Sequence, residues 1–213
     1  MCYTGIGEYM KTSKFRQGLL AIGLSGLLTG CIIPIGHTIH GNGKVISQQR
    51  EAEDFDSVIL DGVGNVNIHY SSNYKVKVTT DTNIQHLITI DVNNNILHID
   101  ENSTFGGFDP TKLVIDVYMP DLKNVSLKGV GDIKVIDGDA YNCKMNLSGV
   151  GNIYAQNFEV RNVTVTLSGV GDIKTWVTKN LTGSLSGVGS ILYKGSPSTV
   201  NINKSGVGDI KKM

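Results

Sequence analysis

Proline is scarce in this chain, at 4 of 213 residues, and cysteine and tryptophan are scarcer still, at 3 and 1. So little proline beside 26 glycines excludes a collagenous or disordered chain and leaves a folded, glycine-punctuated body. Neither charge is in excess: 19 basic residues face 19 acidic ones, with no basic run longer than Lys211-Lys212. That lacks the electrostatic footprint of nucleic-acid binding. A sustained helical period is missing between residues 43 and 121. With 40% apolar content, the chain has enough material for one domain with a sizeable core.

What the chain has in quantity is one phrase: Gly-Val-Gly, then Asp, Asn or Ser, then an aliphatic residue. It starts at Gly62, Gly129, Gly149, Gly169, Gly187 and Gly206, the last five copies lying 20, 20, 18 and 19 residues apart. A near-constant period predicts stacked coils, a β-solenoid. Aligned on the glycines, Leu127, Leu147, Leu167 and Leu185 share one column, and Ile133, Ile153, Ile173, Ile191 and Ile210 another. A third column reads Val125, Met145, Val165, Gly183, Ile202. One coil is too thin to hold a core, so stacking at about 4.8 Å predicts inward ladders of like residues. Lys204 takes the Leu position in the last copy, as a terminal coil meeting solvent would.

Residues 43–121 follow the period loosely but are rich in short β-branched runs bounded by Asn, Asp, Gly and Ser. Asn93-Asn94-Asn95 between two such runs predicts a hairpin turn. Phe105 and Phe108 lie in a loop, where they either offer a contact surface or fold inward.

The column after the second glycine reads Asn65, Asp132, Asn152, Asp172, Ser190, Asp209. Short polar side chains here predict a structural polar ladder, bonding turn backbone and neighbouring coils. Calcium solenoids need a second half-repeat and unbroken carboxylates, which Asn152 and Ser190 interrupt, so no metal is expected. Asp132 and Asp172, about 9.6 Å apart by strand spacing, approach the separation of an inverting glycosidase pair but lack flanking catalytic or aromatic neighbours. An enzyme is therefore not expected. Val130, Val150, Val170, Val188 and Val207 form an outward interaction stripe if alternation continues through the motif, and belong to the core if the first Gly reverses the facing.

The remaining candidates carry little chemistry. Cys143 sits in an alternating apolar run and reads as a small core hydrophobe with no His near it in sequence. His37 and His40 lack the further ligands of a metal site. The Asn-x-Ser/Thr triplets at Asn124, Asn146, Asn162 and Asn180 read as alternating strand polarity, and Gly-Val-Gly lacks the third Gly and the strand-to-helix context of a phosphate loop. No cofactor is expected.

The start of the chain reads as an address. Lys11, Lys14 and Arg16 precede an apolar run at residues 19–28, too short for a spanning helix of about 20 residues. Leu28-Thr29-Gly30-Cys31 resembles the lipobox of bacterial lipoproteins, which implies export and a lipid on Cys31 that holds the chain to a membrane. Met10 stands where such a leader begins, so residues 1–9 read as a start-site extension. Domains are then expected at 1–30 (extension and signal peptide), 31–42 (lipidated Cys and tether) and 43–213 (one β-solenoid domain). Ile32 after Cys31 resembles lipoproteins sent to an outer membrane where one exists.

Gly41-Asn42-Gly43, Phe55-Asp56-Ser57-Val58, Gly62-Val63-Gly64-Asn65-Val66 and the repeated Leu-Ser-Gly-Val-Gly-Asp-Ile together resemble the putative auto-transporter adhesin, head GIN domain family, over nearly the whole chain from Gly43. The resemblance implies a right-handed parallel β-helix on the bacterial cell envelope; joined to the repeat period and the strand runs, the expected fold is all-β, with coils of about 20 residues and a less regular, strand-rich N-terminal part. The resemblance implies no enzyme activity and carries over no functional residues. The expected role is a lipid-anchored binding or scaffold protein offering a repetitive surface to a glycan or to an envelope or host protein, with oligomeric state open. A carbohydrate-active enzyme and a purely structural envelope module are the alternatives.

Overall fold

The computed structural model describes residues 38–102 and 107–213. The leader, Met10, Cys31, His37 and Phe105 lie outside the described residues. Among the described residues the strands are β1 (Ile39–His40), β2 (Val45–Arg50), β3 (Ser57–Leu60), β4 (Asn65–Tyr70), β5 (Lys75–Asp81), β6 (Ile88–Asn93), β7 (Ile96–Glu101), β8 (Phe108–Asp109), β9 (Leu113–Met119), β10 (Asn124–Leu127), β11 (Val130–Val135), β12 (Asp139–Leu147), β13 (Val150–Leu167), β14 (Ile173–Leu185), β15 (Ile191–Lys194), β16 (Thr199–Lys204) and β17 (Ile210–Lys212). A single 3-10 turn at Gln85–Leu87 accompanies them. Strands β1 and β8 form a two-stranded sheet, and the other 15 form one large sheet.

Two parallel flanks face each other across the core. One runs β9, β4, β11, β13, β14, β15, β17 and stacks Ile115, Val66, Ile133, Ile153, Ile173, Ile191 and Ile210. The other runs β7, β3, β10, β12, β13, β14, β16 and stacks Ile99, Leu60, Leu127, Leu147, Leu167, Leu185 and finally Lys204. Except for Ile210 and Lys204 at the end, these side chains are at most 1% exposed. Burying each contributes about 1.5–3 kcal/mol against the entropy of ordering the chain. Because β13 and β14 belong to both flanks, the sheet is continuous round the bend and wraps its core as a nearly closed, barrel-like sheet.

This corrects the expectation of a right-handed parallel β-helix. The fold is all-β, but its pairing is mixed: β2 with β5, β5 with β9, and β6 with β7 are antiparallel. Spatial order also departs from chain order, since residues 96–119 lie beyond β3 and β4, and β10 then returns to the opposite side of β3. A uniform solenoid would set each coil beside the one before it. One cause is local: Asn94 and Asn95 adopt φ of 52° and 62°, and two successive positive φ values make a tight turn that returns β7 antiparallel to β6. The other antiparallel pairs join strands remote in sequence. The period read from the second half of the chain does not extend through the first.

The N-terminal segment is latched to this body. Asp81 Oδ1 accepts the Gly43 N–H at 2.7 Å and the Thr111 hydroxyl at 2.9 Å, and Oδ2 accepts the Thr111 N–H at 2.8 Å. A side chain on Gly41 would overlap the same carboxylate. Burial opposes ionisation of Asp81, but the bonds from Thr111 and Gly43 outweigh it and hold the carboxyl below its ordinary value.

Candidate functional site

The Gly-Val-Gly phrase makes the corner between the two flanks. A Cβ on Gly151 would overlap the carbonyl oxygen of Gly131, and one on Gly149 that of Gly129, so each glycine lets its rung rest on the same glycine of the rung before. Gly151 also holds φ at 133°, a region that L side chains rarely adopt. Val150 between them donates its N–H to the Gly129 carbonyl at 3.0 Å and is 51% exposed. The facing left open by the sequence is thereby decided: Val63, Val130, Val150, Val170, Val188 and Val207 point to solvent and are between 42 and 70% exposed. They pair in parallel register, so six valines form one apolar ridge along the corner, about 24 Å long by strand spacing.

Beside the ridge runs a continuous polar ladder. Asn65 Oδ1 accepts the Asp132 N–H at 3.2 Å, and Asp132 Oδ1 accepts the Asn152 N–H at 3.0 Å and its Nδ2 at 2.9 Å. Asn152 Oδ1 accepts the Asp172 N–H at 3.0 Å, Asp172 Oδ1 the Ser190 N–H at 2.8 Å, and Ser190 Oγ the Asp209 N–H at 3.2 Å. These side-chain oxygens serve backbone N–H groups of the next rung, so each rung is tied to its neighbour at the corner. Asp132 and Asp172 are separated by Asn152, which is bonded to both, and each is engaged as a backbone acceptor. Among the described residues no three His, Cys, Asp or Glu side chains converge.

Other residues singled out in the sequence are dispersed. Cys143 is buried, and burial pushes its thiol up to about 12. His40, assigned to the tether, lies in β1 with its ring 3.4 Å from the Asp109 carboxylate at the surface. Phe108 pairs with Ile39 and packs against the core.

The chain matches the family described as putative auto-transporter adhesin, head GIN domain, over residues 54–137 and again over 124–197. It belongs to that family. The two matches between them take in the ladder from Asn65 to Ser190 and all but the last valine of the ridge, so ridge and ladder are features of a head GIN domain chain. A putative adhesin from Bacteroides fragilis, known from its crystal structure, is 27% identical with a TM-score of 0.57, covering 82% of this chain and 100% of that one. A putative cell adhesion protein from Clostridium sporogenes is 18% identical with a TM-score of 0.46, covering 80% and 100%. A putative adhesin from Parabacteroides merdae is 18% identical with a TM-score of 0.41, covering 82% and 99%. No curated protein matches this chain.

Sequence reasoning missed the aromatic residues of this head GIN domain. Tyr154 stands between Lys134 and Lys174 of the adjacent rungs, with their Nζ atoms 6.0 and 5.3 Å from the ring centroid, and Lys194 lies 4.0 Å from the centroid of Trp176. Burial, with Asp132 and Asp172 nearby, pushes the Tyr154 hydroxyl up. Tyr141 is 61% exposed beside a groove of about 730 Å³. The glycine alignment already placed Lys134, Tyr154 and Lys174 in one column, two residues after the polar ladder, so that signal was present. Tyr141 had none, because the groove is made where residues 121–124 meet β12 and β13.

Proposed function

We propose that this protein is a non-enzymatic binding or scaffold protein of a bacterial cell envelope, held to a membrane by a lipid on Cys31, the outer membrane where one is present. Membership of a family described as a putative adhesin supports a binding role. One observation carries it: the ridge of valines from Val63 to Val207, each at least 42% exposed and all in register. An apolar line of this length on a charge-balanced body is unusual for a surface with no partner. It presents equivalent groups at rung spacing to an extended glycan or to a protein, and repeated weak contacts along one line add as avidity. Catalysis has no part in the reading, because Asp132 and Asp172 serve as ladder acceptors and Cys143 is an un-ionised thiol in the core.

The experiment is capture of envelope and host-surface material by the full chain, compared with a Val150→Ser/Val170→Ser double variant. Capture that drops in the variant supports the reading, and equal capture or none by the native chain refutes it. Incorporation of labelled fatty acid that disappears in Cys31→Ser tests the anchor separately.

A further inference from the structure

We infer that the groove beside Tyr141 is a binding subsite for a neutral oligosaccharide. The inference builds on the binding role proposed above but uses a different surface from the ridge. Tyr141 lies in β12 opposite Arg161 of β13, whose guanidinium is 5.2 Å from the ring centroid. Arg161 reaches the ring from the following rung, and Tyr141 also lines the groove of about 730 Å³ together with residues 121–124 on the preceding side and Asn162 and Thr164 of β13. The ring therefore carries a cation contact and still leaves most of its surface exposed at the groove. That volume suits a small ligand.

The polar groups around the groove are arranged for hydroxyls. Asn180 Nδ2 donates to Asn162 Oδ1 at 2.7 Å, and Asn162 Nδ2 donates to Asn142 Oδ1 at 2.9 Å. This amide chain has a direction, and it ends at the groove with the Nδ2 of Asn142 donating to no acceptor among the described residues. The Asp121 carboxylate, the Asn124 amide and the Lys144 ammonium also line the groove without a hydrogen bond or ion pair among the described residues. Donors and acceptors therefore line one groove together with an exposed aromatic ring, which matches a sugar, whose hydroxyls do both and whose C–H face is apolar.

Charge and backbone select against other ligands. Lys123 is neutralised by Asp56 at 2.9 Å, leaving Asp121 and Lys144 as one charge of each sign among the residues that line the groove, with the Arg161 guanidinium engaged on the Tyr141 ring. A peptide captured as an added strand needs a free sheet edge. Here the Lys123 N–H is bonded to the Asp56 carbonyl at 2.7 Å and the Lys144 N–H to the Lys123 carbonyl at 2.9 Å, so the backbone beside the groove is used.

The test is calorimetric titration of the full chain, in detergent, with neutral gluco-, manno- and N-acetylglucosamine oligomers, alongside uronic-acid oligomers and an unstructured peptide. At least one neutral series is expected to bind. Tyr141→Ala weakens that binding at least about tenfold, Tyr141→Phe stays within about threefold because the ring is kept, and the unfolding midpoint of both is unchanged. The Val150→Ser/Val170→Ser variant binds the oligomer like the native chain, so loss of ridge capture and loss of sugar binding are told apart. Absence of binding to every neutral series, preference for uronic-acid oligomers or the peptide, or equal affinity in Tyr141→Ala overturns the assignment.

Discussion

Asn152 Oδ1 accepts the backbone N–H of Asp172 at 3.0 Å, while Asn152 gives both its own backbone N–H and its side-chain amide to Asp132 on the rung before. One side chain thus ties three rungs together where the chain turns its corner. Removing the acceptor in Asn152→Ala is expected to cost about 1–2 kcal/mol in urea unfolding, the range for stranding a partly buried N–H.

Asn152→Asp makes a sharper test. The new carboxylate would face Asp132 Oδ1, now 2.9 Å from Asn152 Nδ2. Two carboxylates that close do not both ionise, so one folded-state pKa rises above its unfolded value. The penalty is greatest at neutral pH and shrinks as pH falls through the raised value. A variant less stable at pH 7 by about 1–3 kcal/mol, recovering toward the native protein near pH 5, is the expected outcome.

Gly151→Ala should be among the most damaging single changes in the chain. Its Cβ would overlap the Gly131 carbonyl, and φ is 133°. Loss of more than about 3 kcal/mol, or failure to reach the native state, is expected by circular dichroism and urea titration. Gly43→Ala is the control: φ is 75° but no atom lies within 4 Å of the new Cβ, so only the backbone strain of about 1–2 kcal/mol applies.

Acid should loosen the fold through Asp81 and Asp116. Burial raises both, yet the Thr111 bonds to Asp81 and the Asn67 and Lys77 bonds to Asp116 hold each below its ordinary value. A carboxylate with a depressed folded pKa contributes fully above the unfolded value of about 3.9, and that contribution is lost as pH falls below it through the folded value. The urea midpoint should fall steeply below about pH 4, and less steeply in Asp81→Asn, whose neutral-pH stability is already reduced.

Cys143 should resist thiol reagents in the native protein at neutral pH, since it is 1% exposed and its thiol is pushed up to about 12. Peptide mapping after labelling in urea should show it modified, and mapping without urea should not.

Much of the second half of the molecule was legible in the chain. The Leu and Ile columns and the ladder from Asp132 to Asp209 follow from a short period, because parallel strands in register put like residues side by side. The hairpin at Asn94-Asn95 was legible too, since successive asparagines tolerate positive φ. How β6 and β7 then join the larger sheet was not. That depends on long-range pairing between β3 and β7 and between β4 and β9, which no local pattern encodes. The tertiary structure alone decided the mixed, nearly closed sheet. It also decided the outward facing of the valines, since the Gly-Val-Gly corner rests on the carbonyls of the neighbouring rung, and periodicity locates a residue without saying what lies against it.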